Sequence, residues 1–198
     1  MPMSQLDVET LRAGSCPKAF RIMMWALVFF VPIPILNTFP DVVGWILFLI
    51  AIQMVPRLHR ALGPMRLLAG FGLALWIGRT AAPTQELYLI LYLTTWAILM
   101  LFMWKTCGMI MEIAEAAKAA SLAWSARWRR WLCLLPFFLF AVAANSGSHW
   151  PFMVTFLFML AIACVLCLLM GLMADTSRMC ALMGQTQPAG TDPAKTAS

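Results

Sequence analysis

KTCGMIMEIAEAAKAASLAWSARWRRW, Lys105 to Trp131, is the longest run of this chain outside its two tails that is not continuously apolar. It holds five of the fourteen basic residues: Lys105, Lys118, Arg127, Arg129 and Arg130. Ile110, Ile113, Ala117, Ala120, Trp124, Trp128 and Trp131 recur at three- and four-residue spacing, which puts them on one helix face. Glu112, Glu115, Lys118, Ser121 and Ser125 fall on the other, with Glu115 and Lys118 one turn apart and able to pair. The pattern predicts an amphipathic helix over about 109–130, lying at a membrane interface or leading into the next span. Trp124, Arg127, Trp128, Arg129 and Arg130 are its candidate contacts to anionic lipid or to a partner.

The segments around this stretch decide the class. Of 198 residues, 63% are hydrophobic and 11% charged, and the mean hydropathy is +0.85. Soluble domains carry about 25% charged residues, and a soluble chain of this composition would expose large apolar patches. A bilayer accepts such surface, and spans of about 20 apolar residues satisfy their own backbone as helices. Runs such as Phe152 to Met173 do not alternate, which excludes the strands of a membrane β-barrel. The expected fold is all-α: a polytopic bundle of about six transmembrane helices plus the amphipathic helix.

The spans are expected at about 22–36, 42–55, 67–77, 87–104, 131–144 and 152–173, inside a single bundle over 21–174. Residues 1–20 form a polar N-terminal segment with a short helix at Gln5 to Ala13, read as uncleaved. Residues 175–198 form a polar tail without the apolar content to fold. Pro32 and Pro34 stop or kink the first span, and Asp41 is placed to cap the second. The third span is the weakest; its Gly70 and Ala74 form a small-x-x-x-small pair that lets another helix approach closely. With both termini inside, thirteen basic residues face the cytoplasm and only Arg79 faces out, as the positive-inside rule requires. Dropping the third span would turn the central basic stretch outward.

Few side chains carry chemistry. The net charge of +6 is absorbed by the span flanks, so nucleic acid is not an expected partner. The Cys164-Val165-Leu166-Cys167 motif lies within the last span. Cys16, Cys107, Cys133 and Cys180 fall toward the reducing side, so all six are read as small buried apolar residues. His59 and His149 fall on opposite sides and cannot share a metal, so no metal or other cofactor is expected. No Asp, Glu, Lys or Arg lies within a span away from its ends, which argues against an ion-coupled pump. Gln53, Thr94, Thr95 and Thr155 are the in-span polar groups, expected to bond neighbouring helices or their own backbone. Signatures of serine hydrolases, zinc proteases and P-loop enzymes are missing. The outer turns supply the candidate binding cluster of Asn37, Asp41, Arg79, Glu86, Asn145 and His149.

Phe39-Pro40-Asp41-Val42-Val43-Gly44-Trp45-Ile46-Leu47 resembles the Pro-Asp-x-x-Gly-aromatic-x-Leu hairpin of small uncharacterised bacterial inner-membrane proteins. The resemblance covers about one-twentieth of the chain. It implies a multi-pass protein of the bacterial cytoplasmic membrane and brings no activity with it. The expected role is non-enzymatic, acting through helix or lipid contacts, with the bilayer, a second copy or another membrane protein as partner. The alternatives are a small transporter or channel for a neutral or apolar solute, and a lipid-modifying enzyme using Asp41, Glu86 and His149.

Overall fold

Apolar residues at three- and four-residue spacing give helices throughout, and among the described residues the chain is all-α, with no strand. The computed structural model describes residues 16–30, 40–55, 62–138 and 151–185. Its helices are α1 (Cys16–Val28), α2 (Pro40–Met54), α3 (Leu62–Thr80), α4 (Gln85–Ala116), α5 (Ala120–Leu132) and α6 (Pro151–Gln185). On α1 the buried set is Cys16, Ala19, Phe20, Met23, Ala26 and Leu27, a single helical face. On α6 it is Ile162, Val165, Leu166, Leu169, Leu172, Met173 and Cys180.

The helices pack as neighbours in chain order, α1 against α2, α2 against α3, α3 against α4 and α4 against α5, and α6 closes back onto α1. An aromatic cluster of Phe30, Trp45, Phe48 and Phe102 ties α1, α2 and α4 together, the Phe48 and Phe102 rings lying 4.5 Å apart. Two glycines admit it. A Cβ on Gly44 would meet the Phe30 ring, and one on Gly72 would meet the Trp45 indole.

Outward faces are apolar as well. Leu67 (77% exposed), Phe71 and Ile77 on α3, Ile46 and Ile50 on α2, Ile90 on α4 and Leu160 on α6 are all exposed. Helices apolar on every side belong in lipid or in the centre of a large protein. Two of them, Gln85–Ala116 and Met159–Met183, are long and apolar enough to cross a membrane. Asp41–Met54 is apolar but shorter.

Several boundaries differ from the sequence reading. The expected single amphipathic helix over 109–130 does not exist. Instead α4 runs on to Ala116, the chain reverses, and α5 returns antiparallel along it. Residues 105–116 continue the helix because they hold good helix formers and no proline. The stop is a Schellman motif: the Lys118 N–H donates to the Glu115 carbonyl, the Ala119 N–H donates to the Ala114 carbonyl, and Lys118 takes the left-handed conformation at φ 56°. The hairpin splits the supposed apolar face. Ile110 and Ile113 are buried in the bundle, whereas Trp124, Trp128 and Trp131 are exposed. Glu115 pairs with Arg127 at 3.4 Å, not with Lys118.

The supposed C-terminal tail is also helical as far as Gln185. There the Ser177 hydroxyl donates to the Pro17 carbonyl at 2.9 Å, and Thr176 and Cys180 are buried. Docking on α1 orders a segment whose composition alone would leave it loose. The polar N-terminal segment correspondingly gives way to helix at Cys16, α3 spans 62–80 instead of 67–77, and α5 absorbs Trp131 from the expected fifth span. Residues 5–13, 31–39, 56–61, 139–150 and 186–198 lie outside the described residues.

Candidate functional site

One end of the bundle is built on Arg79. It closes α3, and only 2% of its side chain is exposed. Its Nη2 donates to Asp41 Oδ2 at 2.9 Å, across from the first turn of α2. Its guanidinium carbon lies 5.7 Å from the Tyr88 ring centroid and 5.5 Å from that of Tyr92, both on α4. Thr84 caps α4 by accepting the Leu87 N–H. The Arg–Asp pair and two stacked tyrosines therefore clamp α2, α3 and α4 at one level. Asp41 is not the cap of α2, since the helix already begins at Pro40 and the carboxylate is turned to Arg79.

Of the candidate outer cluster, then, Asp41 and Arg79 come together. Glu86 is exposed on the first turn of α4 and forms no ion pair among the described residues. Asn37, Asn145 and His149, and with them the acid–histidine geometry of an enzyme, lie outside the described residues, as does His59. Thr94 and Thr95 donate to the Ile90 and Leu91 carbonyls of their own helix, and Gln53 is exposed.

The opposite end gathers the basic stretch. Trp104 and Trp131 meet edge to face at 5.2 Å, and the Arg130 guanidinium carbon lies 4.5 Å over the Trp104 ring. Glycines face the arginines from the neighbouring helices. A Cβ at Gly108 of α4 would lie 3.9 Å from Arg130 Cζ, and one at Gly171 of α6 would lie 4.0 Å from Arg129 Nη1. Both arginines are half-buried, and Arg129 Nη1 and Arg130 Nε are shielded from solvent without a hydrogen-bond partner. Arg127, by contrast, is exposed and paired with Glu115. A shallow pocket of about 390 Å³ lies between α5 and α6, lined by Ser121, Ser125, Asp175 and Met179.

Two thiols also meet at this end. Cys16 Sγ and Cys180 Sγ are 3.5 Å apart across 164 positions of sequence. The hydrogen bond to Cys180 and burial push the Cys16 thiol above its ordinary value, so it stays protonated. Cys164 and Cys167 are exposed on α6, which corrects their reading as buried residues. No group of three or more His, Cys, Asp or Glu able to hold a metal occurs among the described residues.

Comparison with protein-family models, with curated proteins and with solved structures gives no match. The geometry therefore carries the functional reading unaided. The sequence singled out Arg129 and Arg130 by charge but could not separate them from Arg127. It missed the Cys16–Cys180 contact and the stacking of Arg79 on the tyrosines. Tyr88 and Tyr92, four residues apart on one helix face, were the available signal for the latter.

Proposed function

We propose that this chain is a multi-pass integral membrane protein that acts without catalysis, through helix and lipid contacts, most simply as one subunit of a membrane assembly. The reading is of a six-span protein of a bacterial cytoplasmic membrane, with the Arg79 end outside and both termini inside. The observation that carries it is the outward face of α3. Leu67, Gly70, Phe71, Ala74 and Ile77 are all exposed, and a Cβ at Gly70 would touch nothing within 4 Å. A ridge of large apolar side chains around a small-residue notch suits a neighbouring transmembrane helix. Favouring this over a transporter, Thr94 and Thr95 spend their hydroxyls on their own backbone and Gln53 points away from the bundle.

The test joins topology to assembly state. Single-cysteine labelling in intact cells should place Leu62 and Trp124 on the same face of the membrane. Native mass spectrometry of the full chain in mild detergent should show a defined complex, with itself or another membrane protein, that is lost in Gly70→Leu. A chain that stays dissolved without detergent, or Leu62 and Trp124 on opposite faces, defeats the membrane reading. A lone monomer indifferent to Gly70→Leu defeats the subunit reading.

A further inference from the structure

The basic end holds a feature that packing alone does not explain. Arg129 and Arg130 are consecutive on α5, yet each is drawn toward a different neighbour, Arg129 to Gly171 on α6 and Arg130 to Gly108 on α4. Each keeps a guanidinium nitrogen that is shielded from water and donates to nothing. Such orphaned donors are unfavourable by roughly 1–3 kcal/mol, and more on a charged group. The ion pairs on this side among the described residues are Glu115–Arg127 and Asp175–Arg178, at 3.4 and 3.9 Å, and neither Arg129 nor Arg130 has a carboxylate within pairing distance. The Trp104–Trp131 pair adjoins them, and indoles favour the boundary between acyl chains and headgroups. Trp124, Trp128 and Trp131 stay exposed along the same helix.

We propose that Arg129 and Arg130 form a binding site for the phosphate of an anionic phospholipid, resting on the membrane reading above. Guanidinium forks match phosphate oxygens bidentately, and both arginines are only half-buried, so the phosphate meets the guanidinium nitrogens that stay open while Arg129 Nη1 and Arg130 Nε remain covered by protein. The Trp104–Trp131 edge supports the glycerol and upper acyl region. Gly108 and Gly171 face the two guanidinium groups at ordinary contact distance. The net charge of the site selects phosphatidylglycerol over zwitterionic phosphatidylcholine.

The test is native mass spectrometry of the full chain titrated with phosphatidylglycerol or phosphatidylcholine, alongside Arg129→Gln, Arg130→Gln, the double variant and Arg127→Gln. Attraction near a charged membrane surface is worth about fivefold in affinity per arginine. Phosphatidylglycerol affinity should therefore fall about fivefold in each single variant and about 25-fold in the double, whereas Arg127→Gln, whose charge is already met by Glu115 at 3.4 Å, should lose less than either. Arg130→Lys keeps the charge but loses the fork, so it should recover only part of the binding, which separates lost recognition from lost folding. Inorganic phosphate should not displace the lipid at millimolar concentration; displacement would reassign the site to free phosphate and overturn the lipid inference. Equal retention of the two lipids, or unchanged affinity in a folded double variant, would also overturn it. Those failures leave the cysteine-labelling topology intact, whereas failure of the membrane reading shows in the topology itself.

Discussion

Asp41→Ala removes the partner of an arginine whose side chain is 2% exposed. Deleting one member of a buried ion pair costs about 3–5 kcal/mol, because the surviving charge is left uncompensated. Asp41 is itself 23% exposed, so water reaches the pair and the lower bound, about 3 kcal/mol, applies. The stacking on Tyr88 and Tyr92 is present before and after the substitution and cancels, leaving a net loss of about 3 kcal/mol. Arg79→Met leaves only the better-hydrated carboxylate and should cost about 1–2 kcal/mol. Removing both charges strands neither, so Asp41→Ala/Arg79→Met should be no less stable than Arg79→Met alone, a coupling of about 3 kcal/mol. The assay is equilibrium unfolding in mixed micelles followed by far-UV circular dichroism. Losses in the two single variants that add within about 0.5 kcal/mol in the double, or an Asp41→Ala protein as stable as the parent, would refute the clamp.

Glycine substitutions on α3 should split by two positions. Gly72→Ala drives a methyl into the Trp45 indole and should lose about 1–3 kcal/mol, whereas Gly70→Ala meets open space and should gain up to about 1 kcal/mol from helix propensity; thermal unfolding of the pair in detergent checks both signs. Lys118→Gly relieves a left-handed residue and should stabilise the α4–α5 hairpin by about 1 kcal/mol, read as slower amide exchange over 113–123. Diamide should link Cys16 to Cys180, since their sulfurs are 3.5 Å apart and need to close to about 2.05 Å. The two thiols lose their hydrogens to the diazene, and the internally linked chain should migrate faster on a non-reducing gel. Cys180→Ala should abolish the shift, and a shift that persists would place the two sulfurs elsewhere.

Composition and periodicity carried the coarse result because both are sums along one dimension. The excess of apolar residues, the absence of alternation and the 3.6-residue rhythm require helices, and the all-α fold follows without any knowledge of contacts. The basic residues bracketing the apolar runs were equally legible. Tertiary structure alone decided where helices end and which charges are used. Lys118 stops α4 without the glycine that usually marks such a cap, so 109–130 read as one helix and folds as a hairpin. The polar residues from Ala174 to Gln185 stay helical because α1 supplies a surface for Thr176, Ser177 and Cys180 to bury against. Arg79 read as a turn residue and is buried, since its partner Asp41 lies 38 positions away. Arg129 and Arg130 differ from Arg127 through what packs against them, half-buried beside α4 and α6 where Arg127 is exposed and paired with Glu115. Burial and pairing are properties of what packs opposite a residue, and that is set by distant segments brought together in space.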